Sequence, residues 1–257
     1  MKNLIIDWPA PGIARLTLSQ PKRRNALTAA MWQAIPDLLK ELVKDKSLRV
    51  LIVTGDGDHF AAGADISEFE TLYATTESSA KISADIQRAC EALAAVPVPT
   101  IAMIRGACVG GGCGISLCCD LRFADSTAKF GITPAKLGLV YPFGDIARLI
   151  DAVGVAHASD ILLSARIMGA GEAKAMGLVN RVVEIDALEE VVLDYAAGVS
   201  ALSPESLRGM KSMISAYRNG QRQDTKETRE QFAAGFTSRD FSEGFRAFLE
   251  KRKPNFE

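Results

Sequence analysis

Apolar positions near the N-terminus fall into two short runs, residues 4–8 and 13–18. Pro9, Ala10, Pro11 and Gly12 separate them, and this turn cluster predicts a β-hairpin. The period then changes. Met31, Ile35, Leu38, Leu39 and Leu42 recur at helical spacing behind Thr28, a residue suited to cap a helix start. Pro36 interrupts that pattern and predicts either a kink or a shifted register. Residues 49–54 and 100–105 are compact apolar runs of the buried-strand kind, with a helical pattern over 79–95 between them that stops at Pro97 and Pro99. Residues 106–114 open a helix, and 121–124 predict a further strand. Helices follow over 145–153 and 156–164 with Gly154 between them, then a short helix ending near Gly177 and a strand over 178–183. From Ala187 onward only helical patterns appear, with Ser203-Pro204-Glu205 as a start signal.

Strands in strand–turn–helix order thus dominate the first two thirds, and helices the last quarter. That order predicts an α/β core with a helical C-terminal appendage. No fixed-length repeat or low-complexity segment interrupts it. The 257 residues fall between one and two domains by length.

Composition narrows the class of function. Apolar residues make up 48% and charged residues 24%, an ordinary globular balance. A chain of this length buries about 70–75% of its unfolded surface and needs no metal or disulfide staple. Thirty basic residues face thirty-one acidic ones, so binding of nucleic acid by bulk charge is not expected. No 18-residue apolar stretch predicts a membrane span, and the start, with Lys2, Asp7 and Pro9, does not match a signal peptide. Four of the five cysteines (Cys108, Cys113, Cys118, Cys119) share one apolar, glycine-rich stretch without metal-ligand spacing, which reads as reduced core thiols of a cytoplasmic protein.

Two segments place small residues beside a helix start: residues 60–66, and the run Gly110-Gly111-Gly112-Cys113-Gly114. Small residues let a ligand approach the backbone, and helix N-termini leave amide N–H groups unpaired. One amide from each loop can grip a single oxygen, an arrangement suited to a carbonyl that becomes negative during reaction. The same glycines also serve a tight turn or close helix packing. The triple glycine is not a dinucleotide fingerprint, because Ile115 stands where the third glycine belongs, and no run ends in Gly-Lys-Ser/Thr.

At this point the chain resembles a known family. Residues 18–27, Leu-Ser-Gln-Pro-Lys-Arg-Arg-Asn-Ala-Leu, look like the opening signature of the enoyl-CoA hydratase/isomerase (crotonase) superfamily. The stretches 61–66 and 110–120 are similar to its two core motifs, and 130–138, 177–179 and 248–256 fit in order. The resemblance implies a spiral of strand–strand–helix turns over 1–195 and a C-terminal helical trimerisation region over 196–257, giving a homotrimer or a dimer of trimers. It implies an acyl-coenzyme A substrate, with coenzyme A as part of that substrate and no separate cofactor, metal, nucleic acid or membrane. By position, the Ala64 and Gly111 N–H groups would hold the thioester enolate. Ala62, Asp65 and Ile66 would line the adenine pocket, largely through backbone, and Gly63 would be among the residues that bind the substrate or its coenzyme. Lys22, Arg24 and the adjoining Ala26 would lie near the coenzyme, the first two by its phosphates. Phe248 and Lys251 match C-terminal residues that touch coenzyme A from the same or a neighbouring subunit.

The chain departs from the family's hydratases where they carry two glutamates: Gly114 and Pro134 stand at those positions, and neither transfers a proton. General acid–base catalysis contributes typically 10²–10⁴-fold per group, so poor hydration is expected. Residues 133–141, Thr-Pro-Ala-Lys-Leu-Gly-Leu-Val-Tyr, look like the corresponding stretch of methylmalonyl-CoA decarboxylases, with Tyr141 matching a tyrosine there. That likeness is partial: those enzymes keep a glutamate at 114 and have a histidine at 64. Tyr141 and Asp145 are therefore the candidate reacting side chains, each with an ordinary alternative as pocket wall or helix-start acid. Glu68, Cys113, His59 and His157 are weaker candidates. A catalytically silent acyl-CoA-binding protein is the other class of reading.

Overall fold

The computed structural model describes residues 3–256. Met1, Lys2 and Glu257 lie outside the described residues, so the positive start of the N-terminal run is not seen. The hairpin forms as strands β1 (Leu4–Ala10) and β2 (Ile13–Leu18), antiparallel, with a register shift between Asp7 and Ala10. β1 is an edge strand, the place in a sheet where Pro9 is tolerated. Thr28 caps α1 (Ala29–Leu42), its hydroxyl accepting from Met31 N at 3.2 Å. The helix runs through Pro36 unbroken: Met31, Trp32, Ile35, Leu39 and Leu42 all bury on one face, outweighing one lost backbone bond.

After β3 (Val50–Gly55) come α2 (Phe69–Leu72) and α3 (Thr76–Ala94), the latter capped reciprocally by Thr75 and Ser78 three residues ahead of the predicted start. The chain then winds in repeated units. β4 (Thr100–Ile104), β5 (Ala107–Val109) and α4 (Gly111–Cys118) make one, and β6 (Leu121–Asp125), β7 (Lys129–Gly131) and α5 (Phe143–Ser164) the next. β8 (Met168–Gly169), α6 (Ala170–Ala175) and β9 (Arg181–Val183) close the winding, and α7 (Leu188–Ser200) follows. Each full turn adds one strand to a six-stranded sheet, β1-β2-β3-β4-β6-β9, and one to a three-stranded sheet, β5-β7-β8. From β2 onward the larger sheet is parallel.

The strands of the small sheet were not expected from the sequence. Two or three residues are too few to show alternation, and β5 sits inside the segment read as a helix start. The strand expected over 178–183 is shorter: Leu178 and Val179 are buried ahead of it, and Asn180 instead accepts from Arg122 N at 2.8 Å. Gly154 does interrupt α5, with φ +75° and ψ 165°.

Alternate residues of the large sheet face opposite layers, as a pleated strand demands. Leu51, Val53, Ala102 and Ile104 join the core beneath α1 and α3, whereas Val50, Ile52, Ile101 and Met103 pack against Leu188, Val192 and Ala196 of α7. The division expected at 195/196 therefore falls inside a helix that belongs to the core. The appendage proper is α8 (Pro204–Arg218), α9 (Lys226–Gly235) and α10 (Arg239–Leu249). In these three helices only Ala247 is buried. Lys211 ties α8 to the core through Asp120 at 2.6 Å and Val98 O at 2.8 Å. No helix among the described residues is long and apolar enough to cross a membrane.

Candidate active site

Two loops meet where the sequence placed its small residues. Leu27 N–H donates to Gly63 O at 2.7 Å and Asp65 N–H donates to Leu27 O at 2.9 Å, so the intervening Ala64 N–H points away from Leu27. On the other side, Ala61 and Cys108 form a β-bridge, and Gly110 N–H donates to Gly131 O at 2.8 Å, which delivers Gly111 as the first residue of α4. Among the described residues, no protein acceptor takes the N–H of Ala64 or of Gly111.

The glycines are needed because the loops are close. A Cβ on Gly63, where φ is +106°, would stand 3.1 Å from Val109 O and 3.5 Å from Gly111 N. A Cβ on Gly111 would stand 3.1 Å from the Trp32 ring and 3.5 Å from Ala64 N, and one on Gly112 would collide with Ala61 O at 2.2 Å. Close packing and an amide pair are thus one feature: the first produces the second. Arg122, buried, holds the far end of α4 by donating to the carbonyls of Ser116, Cys119 and Leu178.

The two amides border a cavity of about 600 Å³. Ala62, Gly63, Ala64, Ile66, Gly111 and Pro134 line it, and its walls are mainly apolar, with Trp32, Ile86, Leu139 and Val140 among them. Three polar side chains come from α5 and the segment leading into it, Tyr141, Asp145 and Arg148, and Ser83, Gln87 and Glu91 come from α3. The Tyr141 hydroxyl donates to Gly110 O at 3.1 Å. A Cβ on Gly114 would lie 3.0 Å from that hydroxyl and 3.4 Å from Asp145 Oδ2, so these two groups fill the space a side chain at 114 would enter. Burial pushes the Asp145 carboxyl above its ordinary range, against the pull of Arg148 Nη1 at 3.1 Å from Oδ1. Burial, and Asp145 beside it, push the Tyr141 phenol well up.

Other expected contacts fall elsewhere. Asp65 does not line the cavity: its N–H goes to Leu27 O and its C=O accepts from Glu68 N. Its carboxylate accepts from Ser67, Arg23 and Gln20, and the Ser67 and Arg23 bonds outweigh burial to hold it below the usual range. Asp65 is therefore the clamp that shapes the loop. Ala62 N–H is likewise occupied, by Arg24 O at 2.9 Å. Ala26 is buried and off the cavity, its carbonyl accepting from Gln20. Lys22 and Arg24 are exposed, and Arg24 borders a different hollow with His59, Arg105, Asp125 and Lys129. Phe248 and Lys251 are exposed at the end of α10 and do not line the cavity.

Glu68 caps α1, accepting from Ala29 N at 2.8 Å. Cys113 is buried, and His59 Nδ1 accepts from Ala107 N. All five thiols are free and buried, and burial pushes Cys119 up to about 12. The sequence reading missed Arg148 and Trp32. Arg148 lies one helical turn past Asp145, a spacing that puts both on one face. Trp32 was hidden because its position fits an ordinary core stripe, yet its indole N–H has no acceptor among the described residues.

The fold and the paired amides define a class. The model of the enoyl-CoA hydratase/isomerase family matches residues 10–257. An enoyl-CoA hydratase/isomerase family protein from Hyphomonas neptunium superposes with a TM-score of 0.96 at 44% identity, covering 99% of this chain and 97% of that one. The crotonyl-CoA hydratase of Syntrophomonas wolfei is 35% identical over 99% of this chain and 98% of its own length. The mevalonyl-coenzyme A hydratase of Aspergillus fumigatus is 32% identical over 100% and 95%. The chain belongs to the enoyl-CoA hydratase/isomerase family, with its crotonase-type α/β fold, and acts on acyl-CoA.

Proposed function

We propose that the enzyme works on an acyl-CoA thioester through its enolate, with the thioester oxygen between the N–H groups of Ala64 and Gly111. The observation that carries this reading is the pair of unengaged amides at the head of an apolar cavity. As negative charge grows on the oxygen, both donors strengthen, and losing one such donor typically costs roughly 3–4 kcal/mol of transition-state stabilisation. The helix start at Gly111 adds its partial positive charge.

Proton handling falls to Tyr141 and Asp145. The related hydratases' names attach water addition to their substrates, but in this family that chemistry uses glutamates at the positions of Gly114 and Pro134 here. Asp145 Oδ2 sits beside the vacant Gly114 position, and its raised pKa suits a group that holds a proton for delivery to carbon. A second reading, decarboxylation of a malonyl-type thioester, is favoured by Tyr141 together with the loss of both glutamates. Carbon dioxide would leave, the electron pair would form the enolate, and a proton would be added at Cα. Lys22, Arg24, Phe248 and Lys251 are proposed for the coenzyme moiety, the last two from a neighbouring copy in a trimer built on the apolar faces of α8–α10.

A panel of CoA thioesters tests this. Hydration of crotonyl-CoA is expected several orders of magnitude below that of a glutamate-bearing hydratase. Brisk hydration would overturn the assignment of Gly114 and Pro134, and binding without turnover of any thioester would favour the silent class. Release of carbon dioxide from a malonyl-type thioester, lost in Tyr141→Phe, would select the decarboxylase.

A further inference from the structure

We infer that Arg148 selects the acyl group, so that the site prefers short acyl-CoA thioesters whose acyl chain ends in a carboxylate. The inference rests on the cavity being the acyl pocket, as proposed above.

Among the described residues, Arg148 is the one cation on the cavity wall. Its side chain keeps 22% exposure, and Asp145 Oδ1 is its only acceptor among the described residues. A guanidinium carries five N–H donors in a rigid fork matched to a carboxylate. The cavity lining is mainly apolar and includes Trp32, Ile86 and Val140. A plain alkyl chain entering there would strip water from the remaining donors and give them nothing in return. A terminal carboxylate would meet them with charge-assisted hydrogen bonds.

The position also limits length. Gly114 lies one helical turn beyond Gly111, about 4.5 Å along the axis. Asp145, the partner of Arg148, reaches within 3.4 Å of a Cβ built there. Through Asp145 the guanidinium is tied to the Gly114 end of the cavity wall, so short acyl chains, malonyl to glutaryl, are the ones inferred to reach it. Burial raises the Asp145 pKa against the pull of Arg148, which eases the approach of a second carboxylate, and the guanidinium has donors beyond the one given to Asp145 Oδ1. The other acid on the wall, Glu91, accepts from Gln87 at 2.7 Å.

Matched pairs of thioesters test the claim without reference to turnover. Titration calorimetry at physiological salt would compare succinyl-CoA with butyryl-CoA, and glutaryl-CoA with pentanoyl-CoA. The acid member is expected to bind at least tenfold more tightly to the wild-type protein. Arg148→Gln should erase the preference by weakening only the acid member, and Arg148→Lys should keep part of it. Equal or tighter wild-type binding of the neutral members overturns the inference and leaves the acyl-CoA reading standing. Failure of every thioester to bind overturns both. The wild-type comparison decides even if a variant does not fold.

Discussion

The two sides of the cavity are built from different material. One is backbone: the Ala64 and Gly111 amides, set side by side by loops that touch at Gly63, Gly111 and Gly112. The other is side chain: Tyr141, Asp145 and Arg148, carried on α5 and the segment leading into it. Backbone donors cannot be exchanged without moving the chain, so the first side suits the one task proposed for it, holding a thioester oxygen. Side chains can be replaced singly, so the second side is where we propose that the reaction and the acyl group are chosen. A shared amide pair with a changed opposite wall is how one fold serves several reactions.

The largest expected effect comes from disturbing the backbone side. Gly112→Ala puts a methyl group into Ala61 O and forces the two loops apart. Turnover should fall by about 10²–10³-fold, the loss expected for one oxyanion donor, with a lower melting temperature. If steady-state rates are unchanged, the loop contact does not set the amides. Asp145→Asn should come next, with turnover lowered about 10²-fold, the lower end for one acid–base group. Wild-type turnover limited by the protonated acid should decline as pH rises through the elevated Asp145 pKa, and the variant's pH–rate profile should lose that limb. A limb that persists assigns the proton to another group.

Tyr141→Phe removes the hydrogen bond to Gly110 O that links the two sides. About a tenfold fall in turnover is expected, with thioester affinity nearly kept; calorimetry beside kinetics separates the two. The smallest effect is on stability. Because burial raises the Asp145 pKa in the folded state, its contribution is fully present below the unfolded pKa and is lost as pH rises through the folded value. Asp145→Asn should therefore melt no lower than wild type at neutral pH, and any advantage should shrink in acid. Melting curves across pH check the sign.

The contrast also governs what was legible. The large sheet, α1, α3 and the break at Gly154 could be read from periodicity, because each buries a regular face or carries a plain stop signal. The strands of the small sheet could not, since a three-residue strand such as β5 is held by neighbours distant in sequence rather than by its own pattern. Asp65 was read for its place beside the coenzyme, and its side-chain bonds to Arg23 and Ser67, which clamp the loop, could not be read from the sequence. The helical appendage was foreseen, but its start was misplaced, because α7 reads like the helices after it while its apolar face packs on the sheet.

Residue identity by itself determined the family, the glycine loops and the absence of a carboxylate at 114 and 134. These are statements about which atoms exist. Tertiary structure decided that two amides separated by 47 positions in the chain share one cavity edge. It also decided that Tyr141 and Asp145 occupy the space Gly114 leaves, and that Arg148 joins them. Those facts depend on the spiral bringing successive turns into register, and no local pattern encodes a distance across the core.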